Sequence, residues 1–518
     1  MLHALRVERR RSPDFPGAGG RRRLQRLLFA LIAMGCAAVG YAQDAGSKPQ
    51  YIGVTECARC HEKAGTLDEQ SGATKWVRLD EFHVWFHHDK HAQAFKLLES
   101  DLGRRIGELL NLGDVTKRAE CLSCHCDQRP GGTDLGDFNR QQGVSCESCH
   151  GPGEKYEKLH RVSAWRKRSA AEKFELGMVD VRDPRKRTRQ CLSCHLGNVE
   201  QGKILTHEMY AAGHPPLPGF EVETFAQSMP AHWRYLEEKD ESVRNDADIK
   251  KLLGYRNGDL HGVKSVVIGG VESLRVAIRL VQAQAENQST KGGWPEFAQF
   301  DCAMCHHDLQ AQSWRQQSPP RGKPGLPGLR AWPGVLVELA IRHAHRGSDE
   351  TAKKTAREFQ VAWGQFHDQF TARPFVANRK PTKLDQARAQ LDELVETLSD
   401  QLEQANYDRP AAAKLLRDLC ELGNRPGHDY DSARQIAWAF KAIYDAASRV
   451  EPFEHAAAIG SALDELGTAL HLELPATQAK QILDELSAAL EASAKYDPTR
   501  IRALFAEMAK RLTANRRP

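Results

Sequence analysis

Gly143-Val144-Ser145-Cys146-Glu147-Ser148-Cys149-His150-Gly151-Pro152-Gly153 carries two cysteines three positions apart with a histidine directly after the second. The same pattern recurs at Cys57, Cys60 and His61, at Cys121, Cys124 and His125, at Cys191, Cys194 and His195, and at Cys302, Cys305 and His306. Ten of the thirteen cysteines fall in these five copies, and every Cys-x-x-Cys in the chain is followed by His. With His at 22 of 518 positions, that coincidence arises by chance in roughly one case in ten million. The spacing has a physical reason: two thiols on one helical turn reach the two vinyl groups of one haem and form thioethers, and the adjacent His falls under the iron. Zinc ribbons pair Cys-x-x-Cys motifs without requiring a following His each time. A disulfide oxidoreductase shows one such motif, not five. The sequence therefore predicts five covalently bound haem c groups, with His61, His125, His150, His195 and His306 as proximal ligands.

Each iron takes or lacks a sixth ligand. Ten further histidines lie between residues 51 and 315, against four methionines, of which Met304 sits inside its own motif. Histidine is thus the expected distal ligand at most sites, and bis-histidine ligation implies moderately low potentials. His83, His87 and His91 recur at i, i+4 and i+8 and form a metal-binding face if helical; the simpler reading takes His91 as a distal ligand beside two solvated neighbours. Cys126 reads as a bystander and Cys420 as a buried apolar residue. His343, His345, His367, His428, His455 and His471 read as surface or capping residues.

The segment 143–153 with His160 beyond it closely resembles the third haem segment of the tetrahaem cytochrome c-554 family. Cys57 to His61, followed by Asp89-Lys90-His91-Ala92-Gln93-Ala94, resembles that family's first haem and a ligand-bearing segment. The motifs ending at His125 and His195 follow in the same order. The resemblance covers residues 51–200 and stops short of the interval before Cys305, the fifth motif and the C-terminal half. It implies that His160 serves the first haem, that His91 serves the third, and that the second, at His125, lacks a protein sixth ligand and is an open site. His207 and His214 are then the candidates for the fourth and fifth haems, with His232 and His307 next.

The N-terminus speaks to compartment. Arg21, Arg22, Arg23 and Arg26 precede sixteen uncharged residues, Leu27 to Ala42, that end in small residues. This matches a signal peptide over 1–42 and predicts export, with an uncleaved anchor as the alternative, since a spanning helix wants ~18 or more apolar residues. Ala33-Met34-Gly35-Cys36 is a poor lipoprotein box. Residues 1–42 hold eight Arg against two acidic residues, while the remainder has 65 basic and 66 acidic side chains. The net charge of +5 therefore gives no case for nucleic-acid binding.

The expected fold class is mainly α. A haem-stacked domain with little regular structure spans 43–318, made of the c-554-like core 51–200 and an insertion with the fifth haem, 201–318. A Pro/Gly linker, 319–334, leads to an α-helical bundle, 335–518. Apolar stripes at helical spacing mark that half: Leu391, Leu394, Leu398 and Leu402; Ile436, Phe440, Ile443 and Tyr444; Ile482, Leu486 and Leu490; and Ile501, Leu504, Phe505, Met508 and Leu512. Asp497-Pro498 reads as a helix start. Val271, Leu274, Ile278 and Val281 form a stripe inside the haem-bearing part.

The first functional reading is an exported electron carrier passing electrons between redox proteins through packed haems. The second is an oxidoreductase acting on a small nitrogen or sulfur compound at the His125 haem; the Cys-x-x-Cys-Lys of pentahaem nitrite reductases is missing. The third is a haem-bearing sensor or scaffold. No nucleic-acid partner is expected, and peripheral membrane contact and oligomeric state stay open.

Overall fold

Four of the five motifs wind into short helices that end on the motif's histidine: α1 (Val54–His61), α2 (Ala119–His125), α3 (Cys146–His150) and α4 (Pro184–His195). The start of α4 is set by Asp183, whose side chain accepts the Arg185 N–H, and by Pro184 at the first helical position. The fifth motif forms a single 3-10 turn, Cys302–Met304. This computed structural model describes residues 48–63, 75–127, 139–252, 254, 256–286, 294–306, 327–371, 384–473 and 491–513. The signal-peptide segment, His307, linker residues 319–326, Ile482, Leu486 and Leu490 lie outside the described residues.

Two helices follow the fourth motif: α5 (His207–Ala211), capped by Thr206, and α6 (Val222–Ser228), capped by Glu221. After the short helices Glu241–Arg244 and Ala247–Leu252 comes the long α7 (His261–Glu286). The C-terminal part is α8 (Val337–Ala344), α9 (Asp349–Thr371), α10 (Leu384–Gln404), α11 (Arg409–Gly423), α12 (Tyr430–Val450), α13 (Ala456–Leu470) and α14 (Pro498–Thr513). Among the described residues strand pairing is limited to two isolated bridges, so the mainly α expectation holds. No helix among them is long and apolar enough to cross a membrane.

The two parts differ in how they are filled. Around the first three motifs the apolar residues form small clusters, such as Val54, Trp85 and Ala92, or Phe95, Leu98, Val115, Leu122 and Cys126. A continuous core runs instead through α7 and the C-terminal helices, where Leu391, Leu402, Ile436, Phe440, Phe505 and Met508 are fully buried. Asp497 Oδ1 accepts the N–H groups of Thr499 and Arg500, the expected cap of α14. Cys420 is buried as read. His343 is not a surface residue: it is buried beside Tyr407, and burial holds its imidazole down at about 4.

α7 stands between the two fillings. Its stripe is buried, but so are Val263, Val266, Val267 and Ile268, because α4 and α6 pack on it as well as α8, α10 and α12. Two glycines allow this: a Cβ at Gly269 would stand 2.3 Å from Val222 Cγ1, and one at Gly270 2.7 Å from Leu336 Cβ. Glu272 accepts from Arg189 of α4, and Arg187 pairs with Glu223 of α6, so charged groups tie the fourth motif's helix to this spine. The described end of the Pro/Gly segment is also seated, through a Phe300–Leu329 bridge and a buried Trp332.

Candidate metal centres

The ten motif cysteines are free thiols, with none of them drawn into a disulfide. Cys57 and Cys60 lie on α1, four and one positions before His61, and both are half-buried. Cys121, Cys124, Cys146, Cys149, Cys191 and Cys194 are half-buried as well, whereas Cys302 and Cys305 are exposed. Cys57 and Cys60 are therefore placed on one helical turn, as the thioether reading of the first motif requires, and the fifth pair departs from the rest in exposure.

Each motif histidine faces a second histidine from a distant part of the chain. The ring centres of His61 and His160 are 6.2 Å apart, those of His125 and His214 6.4 Å, and those of His150 and His232 6.4 Å. His195 faces His91 at 6.2 Å, and His306 faces His207 at 6.0 Å. Two metal–nitrogen bonds of about 2 Å, plus about 1 Å from each nitrogen to its ring centre, place the centres of two axial imidazoles about 6 Å apart. The five pairs meet that requirement, so the residues fit five six-coordinate haem irons. The ring planes differ: they are 14° apart at His61–His160 and 28° at His207–His306, but 80° to 87° in the other three pairs.

The outer nitrogens of these rings are anchored, which fixes the inner one. Nδ1–H of His125 donates to Ala94 O at 2.8 Å, that of His214 to Pro215 O at 2.8 Å, and that of His160 to Tyr156 O at 3.1 Å. His232 Nδ1 lies 3.3 Å from Pro230 O. Two rings have carboxylate partners instead: His61 donates to Glu81 at 2.8 Å and His91 to Asp89 at 2.9 Å. Burial holds His150 and His214 down at about 4 and His195 at about 3, so these imidazoles are neutral and able to ligate near pH 7.

Buried carboxylates shape the loops around the third motif. Glu147 accepts the N–H groups of Ile52, Gly53 and Gly153, tying the motif to the chain entering α1. Asp127 accepts the Ser145 N–H and the hydroxyls of Ser145 and Ser148. Gly143 (φ +72°) passes so close to His91 that a Cβ would meet its carbonyl oxygen at 2.6 Å.

The pairing differs from what the family resemblance implies. His91 faces His195 of the fourth motif rather than His150 of the third, because Asp89 and the turn Lys90–Gln93 hold it on that side. The ring of His125 is faced by His214, carried past the end of α5. His207 faces the fifth motif, His214 the second and neither the fourth. His160 stands opposite His61, as the resemblance implies. His232, a secondary candidate in the sequence, is the partner of His150; nothing in Pro230-Ala231-His232 announces a ligand, and only its fold position does. His83 and His87 are neighbours at 4.5 Å, but among the described residues no group of three or more His, Cys, Asp or Glu is set to hold another metal ion. Cys126 is buried, its thiol pushed up to about 11 by burial, and its Sγ donates to Leu122 O: a structural bystander.

Residues 56–151 match the family model described as cytochrome c554 and c-prime. The chain is 26% identical over 139 residues to cytochrome c-554 of Nitrosomonas europaea, a span of 26% of this chain and 52% of that protein. It thus covers about half the length of that curated relative. No solved structure matches the chain. The likeness to the cytochrome c554 family thus lies in the N-terminal part of the chain, where the first three Cys-x-x-Cys-His motifs sit.

Proposed function

We propose that this protein is an exported pentahaem cytochrome that passes single electrons between redox proteins, with all five irons closed by two histidines. The observation that carries the reading is the set of five ring pairs at 6.0 to 6.4 Å. The motif cysteines, from Cys57 and Cys60 through to Cys302 and Cys305, would hold the haems by thioethers. His61 with His160, His125 with His214, His150 with His232, His195 with His91 and His306 with His207 would bind the irons. Bound haem supplies a reversible one-electron couple, and a bis-histidine iron leaves no position for a substrate. The chain's own residues orient His61, His91, His125, His160 and His214 through Nδ1, and burial keeps His150, His195 and His214 neutral. An enzymatic reading at His125 requires an iron without a sixth ligand, which His214 disfavours.

Export rests on the basic and apolar segment before Ala42. Ten propionates on a nearly neutral mature chain would steer docking toward basic partner surfaces, at a rate that falls with salt. Two measurements test the reading together. The mass of the exported protein should correspond to cleavage after Ala42 and five covalent haems. Its oxidised form should give only low-spin electron paramagnetic resonance (EPR) signals; a high-spin share of about one iron in five would overturn the closed second centre.

A further inference from the structure

We infer that the fifth centre is the outer end of the row of centres and that its neighbour within the row is the second, with α5 and the turn that follows it supplying the remote histidine of both. This rests on the bis-histidine reading above. Contacts among the motifs order the first four. Glu147 accepts the N–H groups of Ile52 and Gly53 at the start of α1, joining the third motif to the first, while Ser123 donates to Gly202 O and Lys203 Nζ to Ser193 Oγ, joining the second to the fourth. Gln190 donates to Ser148 O, joining the third to the fourth. The order is first, third, fourth, second.

The fifth motif attaches at the second's end of that order by three separate ties. His207 opens α5 and His214 follows it, only seven residues on, which is about 10 Å along a helix. The intervening backbone is fixed: Thr206 caps the helix, Ala212 N–H donates to Glu208 O, and the chain turns at Gly213 (φ +110°) so that His214 N–H donates to Met209 O. Glu296, just before the fifth motif, accepts the His207 N–H at 2.8 Å. Arg330 spans both sides, with Nη1 3.5 Å from Leu217 O beyond His214 and Nη2 4.0 Å from Cys302 Sγ. Cys302, Cys305 and His306 are exposed, while the other motif cysteines are only partly so. An exposed terminal centre is where an external redox protein exchanges its electron.

The test needs a label on the second centre. His214→Met gives that iron a His–Met spectrum and a raised potential that separate it from the other four. In this background, Cys302→Ser with Cys305→Ser removes the fifth haem, which protein mass confirms. Potentiometric titration followed optically and by EPR then reads each centre. Charge interaction falls with distance, so the labelled centre should shift most and the first centre least. A larger shift at the first, third or fourth centre overturns the inference. If the double cysteine variant does not mature, His207→Gln perturbs the fifth iron with all five haems retained and the same comparison is made. High-spin iron in the unmodified protein overturns the underlying reading as well, whereas an all-low-spin protein with its largest shift elsewhere overturns this inference alone.

Discussion

The ring of His214 stands 6.4 Å from that of His125, centre to centre, with the planes 81° apart. Its Nδ1 is held by Pro215 O, so Nε2 is the nitrogen aimed across the gap. Carbon monoxide added to the reduced protein should therefore leave the Soret band unchanged. In His214→Ala, about one iron in five should become high-spin when oxidised and bind carbon monoxide when reduced, with five haems still attached. Carbon monoxide binding by the unmodified protein would sink the assignment.

Ring orientation gives a second expectation. Parallel axial imidazoles split the iron d orbitals and give rhombic low-spin signals; perpendicular ones leave them nearly degenerate and give strongly anisotropic signals. The pairs at 14° and 28° should supply the first kind and those at 87°, 81° and 80° the second. Spin integration of the fully oxidised protein should divide the irons in roughly a two-to-three ratio; a single signal type contradicts the geometry.

Carboxylate partners should set two of the potentials apart. Glu81 on His61 and Asp89 on His91 place negative charge behind a ligand and favour the ferric state. Glu81→Gln and Asp89→Asn keep an acceptor but remove the charge. Each should raise one potential by tens of millivolts, ~59 mV corresponding to a tenfold change in the one-electron equilibrium. A uniform shift of all five would point to general loosening instead.

Stability should depend on the charges that fasten α4 to α7. Glu272 is 1% exposed and pairs with Arg189, with Arg275 beside it. Glu272→Ala leaves the buried Arg275 with Glu396 as its remaining partner and should cost about 1–3 kcal/mol in chemical unfolding of the haem-loaded protein. A loss below about 1 kcal/mol would mean that the pair is solvated.

A pH signature follows from Glu221, which caps α6 and is fully buried. Burial raises its carboxyl from 4.5 to about 7, against the pull of the Thr224 and Glu223 N–H groups. The folded state then binds more protons than the unfolded one between these values, so this group's contribution is full below about 4.5 and is lost as pH rises toward 7. Glu221→Gln should flatten that part of the stability–pH curve measured by denaturant titration. An unchanged slope would assign it to other groups.

The proximal half of each centre was legible because five residues of covalent chemistry sit together: Cys146 to His150 needs nothing from the rest of the fold. The distal half was not, because His214 and His232 come to face motif histidines only through where α5 and the turn at Pro230 are placed. The resemblance placed His160 opposite His61 but misdirected His91, whose destination is set by Asp89 and Gly143 rather than by its own segment. In the C-terminal part, stripes such as Ile436, Phe440 and Ile443 revealed their helices directly, since burial on one face leaves a period. α7 reads as amphipathic because its stripe is real; that its other faces are buried too depends on partners far along the chain, Val222 and Leu336 among them.

With an iron between each pair of rings, the five histidine pairs become cross-links, each joining positions about 80 to 105 residues apart in sequence. In the chain-entropy model, closing a loop of that size removes about 4–5 kcal/mol of freedom from the denatured ensemble. The loops overlap, so that closing one shortens the next, and their effects are not additive. On the proposed ligation, a region whose apolar clusters hold only a few residues each would in this way be fastened by coordination rather than by burial. Such metal bonds would take the place that disulfides occupy in small exported domains, and while they persisted the denatured chain of this region would stay compact.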